Sequence, residues 1–542
     1  MAPIPLENKS KGGLLASLPC LPMRTKPPLV PAKGSRPFGT FGRALPDKMG
    51  SAGIVIGGAL LALVLRLIML GQPGHFGGMS EYDDAVYFGA SVMMTHGVFP
   101  YRDFVMVQPP GVPVLMLPVA LFAKLVGTRT ALEATRVITV LVSVADVALI
   151  GYIMRRYAKV AILIAVLVAA GLPPFIWASQ TLILEPYLDL FCLAGIALLY
   201  GRERFALSRS RILVGGAMFG IAGTMKLWAF IPFMVLLVMM WRRSSRNGLY
   251  FALGAGSFFA LVCLPFLVIA PGGFVHQVIF DQLARSDIRT PLATRLGYLG
   301  GSGSVVGANG LWAMVALVSV EWLLIVAPYI ATKSRPKGIE AFALWSAALI
   351  FASTVIPANF YYHYAAFYAP FFALSIGLSI RRWLVMLPKK AIVTVGAFCL
   401  ALASAVVGFA YAAFGAGVRV DPSALVQTLI PKGACVLSDT AEITLLSNRF
   451  SSSIQPCPVI VDAFGTDIAS GSGVAASANV DVTPRLEDLW MKAFTQAQYV
   501  VLSDNNAARI PWTGPLVKYF AAHFHQVGSA GVAVFDRSGP TG

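Results

Sequence analysis

Charge is what this chain has least of. Of its 542 residues only 12% are Asp, Glu, Lys or Arg, against 57% hydrophobic, and the mean hydropathy is +0.73. That balance excludes a water-soluble globule, and apolar runs of membrane-spanning length recur along the chain. Two motifs are also missing. No apolar stretch with a small-residue cleavage site opens the sequence, so its start is expected to be a tail and not a secretory signal. No Gly-rich phosphate loop occurs, which argues against a soluble, nucleotide-activated substrate taken up from the cytoplasm. The net charge of +17 does not indicate nucleic acid, because Lys and Arg sit in short clusters between apolar runs, as cytoplasmic loops of membrane proteins do.

What is present reads as a polytopic helical membrane protein. Residues 1–50, with eight Lys/Arg and two acids, form a disordered basic tail placed in the cytoplasm. Alternation of crossings with basic loops inside then selects about eleven spans, near 51–70, 134–154, 160–176, 184–200, 212–224, 226–241, 249–270, 310–331, 339–357, 365–380 and 391–414. The run 111–126 is short, holds Pro113 and Pro118, and is expected to be juxtamembrane or re-entrant. Residues 212–241 are expected to make two short passes around 223–226, since one pass would put their flanking Arg clusters on opposite faces. A membrane module thus covers 51–414, with extracytoplasmic loops at 71–133 and 271–309.

Beyond Phe414 the apolar runs shrink to strand length at 434–437, 458–461, 499–502 and 532–535. Residues 415–542 are expected to form a soluble extracytoplasmic α/β domain. An oxidising compartment would allow Cys435 and Cys457 to pair there. Cys192, Cys263 and Cys399 fall in spans as packing residues.

The outer face collects the chemistry. The first loop supplies Glu81, Asp83, Asp84, His96, Arg102 and Asp103, and later turns add Glu185, Lys226, His276, Asp281, Gln282, Arg285, Asp287, Arg289, Arg295 and His363. A charge near hydrocarbon costs roughly 2.5–3.5 kcal/mol at the membrane centre, so such residues have partners or functions. A carboxylate can deprotonate a hydroxyl nucleophile, and Lys or Arg can hold a leaving phosphate. Together they fit group transfer from a phosphate-linked donor carried by a lipid.

Asp83-Asp84-Ala-Val-Tyr-Phe, His96-Gly-Val-Phe-Pro-Tyr-Arg-Asp-Phe and Gln108-Pro-Pro-Gly resemble the first-loop pattern of the GT-C integral-membrane glycosyltransferases, which include protein O-mannosyltransferases and aminoarabinose transferases. Leu184-Glu-Pro-Tyr, Met225-Lys-Leu-Trp-Ala-Phe-Ile-Pro and Asp281-Gln-Leu-Ala-Arg are similar to segments of a bacterial branch, and the likeness covers roughly 51–414. The resemblance implies inverting transfer of a sugar, mannose or arabinose in typical bacterial relatives, from a polyprenyl monophosphate to an acceptor hydroxyl on the extracytoplasmic face. The acceptor would be a glycan, glycolipid or protein in cell-envelope synthesis at a bacterial plasma membrane. Asp83 aligns with the general base, and Asp84 stays a candidate for the same role. Lys226, Arg285 and Arg102 are candidates for the donor phosphate, and Glu185, His363, Gln282 and Tyr87 for acceptor and sugar. No cofactor is required. Where the commonest pattern has Asp-Glu this chain has Asp-Asp, which leaves open a divalent cation (Mg or Mn) on Asp83 and Glu185.

Structural readings compete with these. Asp83 and Asp84 suit a helix N-terminus, and Lys226 and Arg66 could snorkel to headgroups. Arg102 could simply pair with Asp103, and His363 could belong to an aromatic belt. Asp146 and Glu321 read as interhelical hydrogen-bonding groups. The alternative function is a transporter or flippase for a lipid-linked or anionic substrate. Against it stand the absence of an inverted repeat and the gathering of acids on one face.

Overall fold

The computed structural model describes residues 50–200, 208–283, 290–302, 310–357, 360–387, 390–415, 417–472, 482–503 and 509–537. The basic tail and Arg285, Asp287 and Arg289 lie outside the described residues. Helix α1 (Ser51–Leu70) leads into a connection carrying α2 (Tyr82–Met94), α3 (Gly111–Leu115) and α4 (Leu117–Val126). Then come α5 (Thr128–Met154), α6 (Lys159–Gly171), α7 (Pro173–Ala178), α8 (Leu184–Leu199), α9 (Arg209–Met225), α10 (Phe230–Arg243) and α11 (Ser245–Ile269). After the short α12 (Pro271–Val275), α13 (Asp281–Leu283) and α14 (Leu292–Leu299), the bundle closes with α15 (Leu311–Ala331), α16 (Ile339–Val355), α17 (Tyr364–Met386) and α18 (Lys390–Phe414).

The chain is therefore mostly helical, and among the described residues six helices (α1, α5, α11, α15, α17 and α18) are long and apolar enough to cross a membrane. The others are shorter for local reasons. The run 160–176 is not one helix: Leu172, extended ahead of Pro173-Pro174, ends α6 and starts α7. The run 111–126 breaks at Met116, and ten-residue α4 is about 15 Å long, half of what hydrocarbon requires.

Helix α9 stops at Lys226, whose backbone is extended. A Cβ on Gly216 would lie 2.2 Å from the Phe251 carbonyl oxygen and one on Gly220 2.1 Å from that of Ala255, so α9 and α11 touch backbone to backbone in parallel. Parallel neighbours require the chain to turn back between them, and α10 makes that return.

The buried charges need correction. Arg66 does not snorkel. It is fully buried, donating from Nε to Ser143 Oγ at 2.9 Å and from Nη1 to the carbonyls of Ala62 and Ala170 at 3.2 and 3.3 Å. Asp146, buried near it, has neither carboxyl oxygen hydrogen-bonded, and neither does Asp189 on α8. Acidic groups are thus not confined to one end of the bundle.

Residues 417–537 build a four-stranded sheet, β1 (Val436–Ser438), β2 (Tyr499–Ser503), β3 (His525–Ser529) and β4 (Val532–Asp536), in the order β1-β2-β4-β3. β1 and β2 are parallel and the other pairs antiparallel. Helices α19 (Ser423–Leu429), α20 (Ala441–Leu446), α21 (Ala463–Ala469), α22 (Pro484–Gln496) and α23 (Gly514–His523) accompany it. Cys435 and Cys457 are disulfide-bonded, with Cα atoms 5.5 Å apart. The expected strand at 458–461 does not form; this proline-flanked segment instead packs its Val461 against Gly89 of α2. β3, mostly exposed, had no apolar run to announce it.

The sheet segment and the bundle form one compact unit. Their joint is Arg136 of α5, fully buried. Its Nη2 donates to Asp84 Oδ2 and Glu442 Oε1, both at 3.0 Å, and its Nη1 to the carbonyls of His75, Phe76 and Gly78 at 3.2, 2.8 and 2.8 Å. Truncating one partner of a buried ion pair costs about 3–5 kcal/mol, because the orphaned charge stays in a dry site. Arg136→Met is expected to lose about that much stability, and addition of Asp84→Asn and Glu442→Gln to recover part of it. Thermal unfolding of the purified protein in detergent measures both, and a triple variant no more stable than the single one would refute the account.

Candidate active site

The site grows from two helix starts and the break after α9 at the sheet-bearing end of the bundle. Asp83 and Asp84 stand in the first turn of α2, where the helix dipole favours negative charge. Neither caps the helix; the N-cap position is Glu81, whose side chain makes no capping bond. Successive helical residues point about 100° apart, so the two carboxylates face different surroundings. Asp84 is fully buried, its Oδ2 taken by Arg136 and by the hydroxyl of Thr181. Asp83 is half-buried, and its one hydrogen bond among the described residues is a 3.5 Å contact from the Tyr87 hydroxyl. Of the two candidates, only Asp83 is open to a third party.

Glu185 opens α8 in the same way, with its charge in the first turn. The break after α9 frees Lys226 to reach it: Nζ lies 2.6 Å from Glu185 Oε1, with both side chains buried. The ammonium sits 4.7 Å from the Trp228 ring centroid and 4.2 Å from that of Tyr364. Two aromatic faces thus hold a desolvated cation in place. Lys226 does not snorkel, and among the described residues Glu185 takes one of its three protons, leaving two.

His363 is buried with Nε2 3.9 Å from Glu185 Oε1, and its neighbour Tyr362 donates to Glu81 Oε2. A polar seam of close neighbours therefore runs from Lys226 through Glu185 and His363 to the sequence-adjacent Tyr362 and on to Glu81, with the Asp83 charge next to Glu81. Burial above all, then the adjacent Asp83 charge, pushes the Glu81 carboxyl up to about 7. Beside the seam is a cavity of about 160 Å³ lined by Pro173, Pro174, Trp177, Tyr298, Tyr362 and Tyr411.

Other sequence candidates fall elsewhere. Arg102 is exposed and paired with Asp103 at 2.7 Å, so it fixes its own loop. Gln282 donates to the Val107 carbonyl and pins the first connection. Asp83 and Glu185 do not suit a shared divalent cation as they stand, because Lys226 already neutralises Glu185. Among the described residues no three His, Cys, Asp or Glu side chains are placed to hold a metal ion. Two cations escaped the sequence reading. Arg136 could have been found as a cation near the start of the apolar run 134–154. Arg419, which donates to Ser80 Oγ and lies near Glu81 and Asp84, had no such signal.

Solved structures share this architecture. ArnT from Cupriavidus metallidurans in the apo state superposes with a TM-score of 0.58 at 14% identity, over 91% of this chain and 100% of that one. The same protein bound to undecaprenyl phosphate gives 0.57 at 15%, over 90% and 99%. The oligosaccharyltransferase AglB from Archaeoglobus fulgidus, in complex with an inhibitory peptide and a dolichol-phosphate, gives 0.54 at 13%, over 91% and 75%. No protein-family model matches the chain, and no curated protein matches it in sequence. The chain shares the fold of these solved structures.

The raised Glu81 has a thermodynamic signature. Between the ordinary carboxyl range and pH 7 the folded protein holds a proton that the unfolded chain releases, so stability falls as pH rises through that window. Thermal unfolding from pH 4 to 8.5 should show wild type and Glu81→Gln equal in acid, the wild type falling behind by up to about 3 kcal/mol above pH 7. A pH-independent gap would exclude the assignment.

Proposed function

We propose that the protein transfers a sugar from a polyprenyl monophosphate to an acceptor hydroxyl on the extracytoplasmic side of a bacterial plasma membrane, inverting the anomeric carbon. What carries the reading is one arrangement: a buried Lys226–Glu185 pair and an open Asp83 on the same polar seam. ArnT bound to undecaprenyl phosphate and AglB bound to a dolichol-phosphate lend the lipid carrier.

In this mechanism Asp83 takes the acceptor's proton as its oxygen attacks the anomeric carbon from the face opposite the phosphate. The new C–O bond forms while the bond to the phosphate oxygen breaks, and the phosphate leaves with that electron pair. Lys226 meets the leaving charge with its two spare protons. Its aromatic clamp and Glu185 pre-set it, so little reorganisation accompanies the step. Arg419 is the second cation at this end and takes the role first sought in Arg102. Asp84 positions α2 by holding Arg136 and does not touch substrate. The aromatic cavity beside Tyr362 offers flat faces to the sugar or the first isoprene unit. Mannose and arabinose both remain compatible with it.

The buried Arg66, Asp146 and Asp189 keep the transporter reading as a second one, since charge inside a bundle is what carriers use. Asp83→Asn separates the two. It is expected to lower turnover about 10²- to 10⁴-fold, the usual weight of a general base, with polyprenyl-phosphate binding within about twofold of wild type. Lys226→Met should weaken that binding by about tenfold or more. Radiolabelled polyprenyl-phosphate sugars, assayed for transfer and for carrier translocation in proteoliposomes, provide the readout. An Asp83→Asn protein with unchanged transfer would overturn the proposal.

A further inference from the structure

A cleft of about 410 Å³ lies away from the polar seam, between the α12–α13 segment and helices α21 and α22 of the sheet-bearing part. Small-molecule sites occupy roughly 300–1,000 Å³. Its floor is glycine: a Cβ on Gly273 would meet the Tyr101 carbonyl oxygen at 2.2 Å, while Gly272 faces open space.

The polar lining is unbalanced in an informative way. Asp281 is 4% exposed; its Oδ1 meets His276 Nδ1 at 2.8 Å, and its Oδ2 has no hydrogen bond among the described residues. A buried oxygen left so costs about 1–3 kcal/mol, which a ligand donor would recover. From the opposite wall the exposed Arg485 faces that carboxylate. Gln277 accepts through Oε1 from the Met106 amide at 3.0 Å, which turns its NH₂ group away from that contact. Thr466 and Ser470 donate to the carbonyls of Asp462 and Asp467 at 2.6 and 2.7 Å, keeping oxygen lone pairs for a visitor.

Donors and acceptors therefore alternate around a space whose carboxylate and guanidinium cancel. An anion would meet the bare Asp281 oxygen, and a cation would meet Arg485 and His276 with a single carboxylate to bind it. Neutral polyols suit such a lining. The cleft is also tied to the reacting end: Met106 and Val107 are held by Gln277 and Gln282, and five peptide steps on, Gly111 packs against Thr224, two residues from Lys226. That segment spans at most about 18 Å when extended.

We propose that this cleft binds a neutral glycan, the non-reacting part of the acceptor, through Asp281, Arg485 and Gln277. The word acceptor rests on the transferase reading; glycan binding itself does not. The full-length protein in lipid nanodiscs, as wild type, Asp281→Asn and Arg485→Ala, is titrated calorimetrically with neutral manno- and arabino-oligosaccharides. It is then assayed for transfer to the same compounds. Expected are wild-type binding of at least one of them, about tenfold weaker in each variant, and an acceptor KM raised to match with kcat and carrier binding unchanged. Arg485 is exposed and Asn keeps the shape of Asp, so both variants retain the fold, which their thermal midpoints check. Wild type that binds no such oligosaccharide, or binding indifferent to both substitutions, overturns the cleft whether or not transfer occurs. Binding lost in the variants of a wild type that transfers no sugar supports the cleft and overturns the transferase reading.

Discussion

Everything at the sheet-bearing end turns on one guanidinium. Arg136 is fully buried and ties together three carbonyls of the first connection, Asp84 at the start of α2 and Glu442 of α20. Burial, together with the nearby Asp84 charge, holds Glu442 above the usual carboxylate range, so the group tolerates two acids around one cation. A buried ion pair of this kind adds little net stability against an apolar replacement, but it is intolerant of a missing partner. Its use here is specificity. It sets where α2 begins, and hence which of two adjacent carboxylates faces outward.

The Lys226–Glu185 pair obeys the same logic in a different setting. Aromatic rings from Trp228 and Tyr364 replace the water that the ammonium has lost, and one carboxylate balances it. What distinguishes it from the Arg136 group is unfinished coordination. The two Nη atoms of Arg136 give five hydrogen bonds to protein oxygens, whereas Lys226 Nζ gives one among the described residues, to Glu185. A site built to meet a transient anion needs such a reserve, already oriented.

Much of the frame was legible beforehand because its physics is one-dimensional. A run of apolar residues, a basic turn or a proline pair acts over a few positions, so helix locations, the break at Lys226 and the short 111–126 segment followed from the chain alone. The failures were of another kind. Arg102 carried the right charge, but its neighbour Asp103 absorbed it. Arg66 looked like a snorkelling residue until Ser143 and the Ala170 carbonyl, far away in sequence, turned out to surround it. Arg419 and Glu442 had no local mark, because their partners belong to the first connection more than three hundred residues earlier.

By itself the sequence determined that the protein is a membrane-embedded helical bundle, that carboxylates and cations collect in the connections between its helices, and that strand-forming segments follow the last long helix. Composition and periodicity decide those properties residue by residue. Only the tertiary structure buried Asp84 against Arg136 while leaving Asp83 half-buried, joined Lys226 to Glu185, paired Arg102 with Asp103 and opened a second cleft beside Asp281. Each depends on which distant groups exclude water from a given charge, and that is a property of packing in three dimensions.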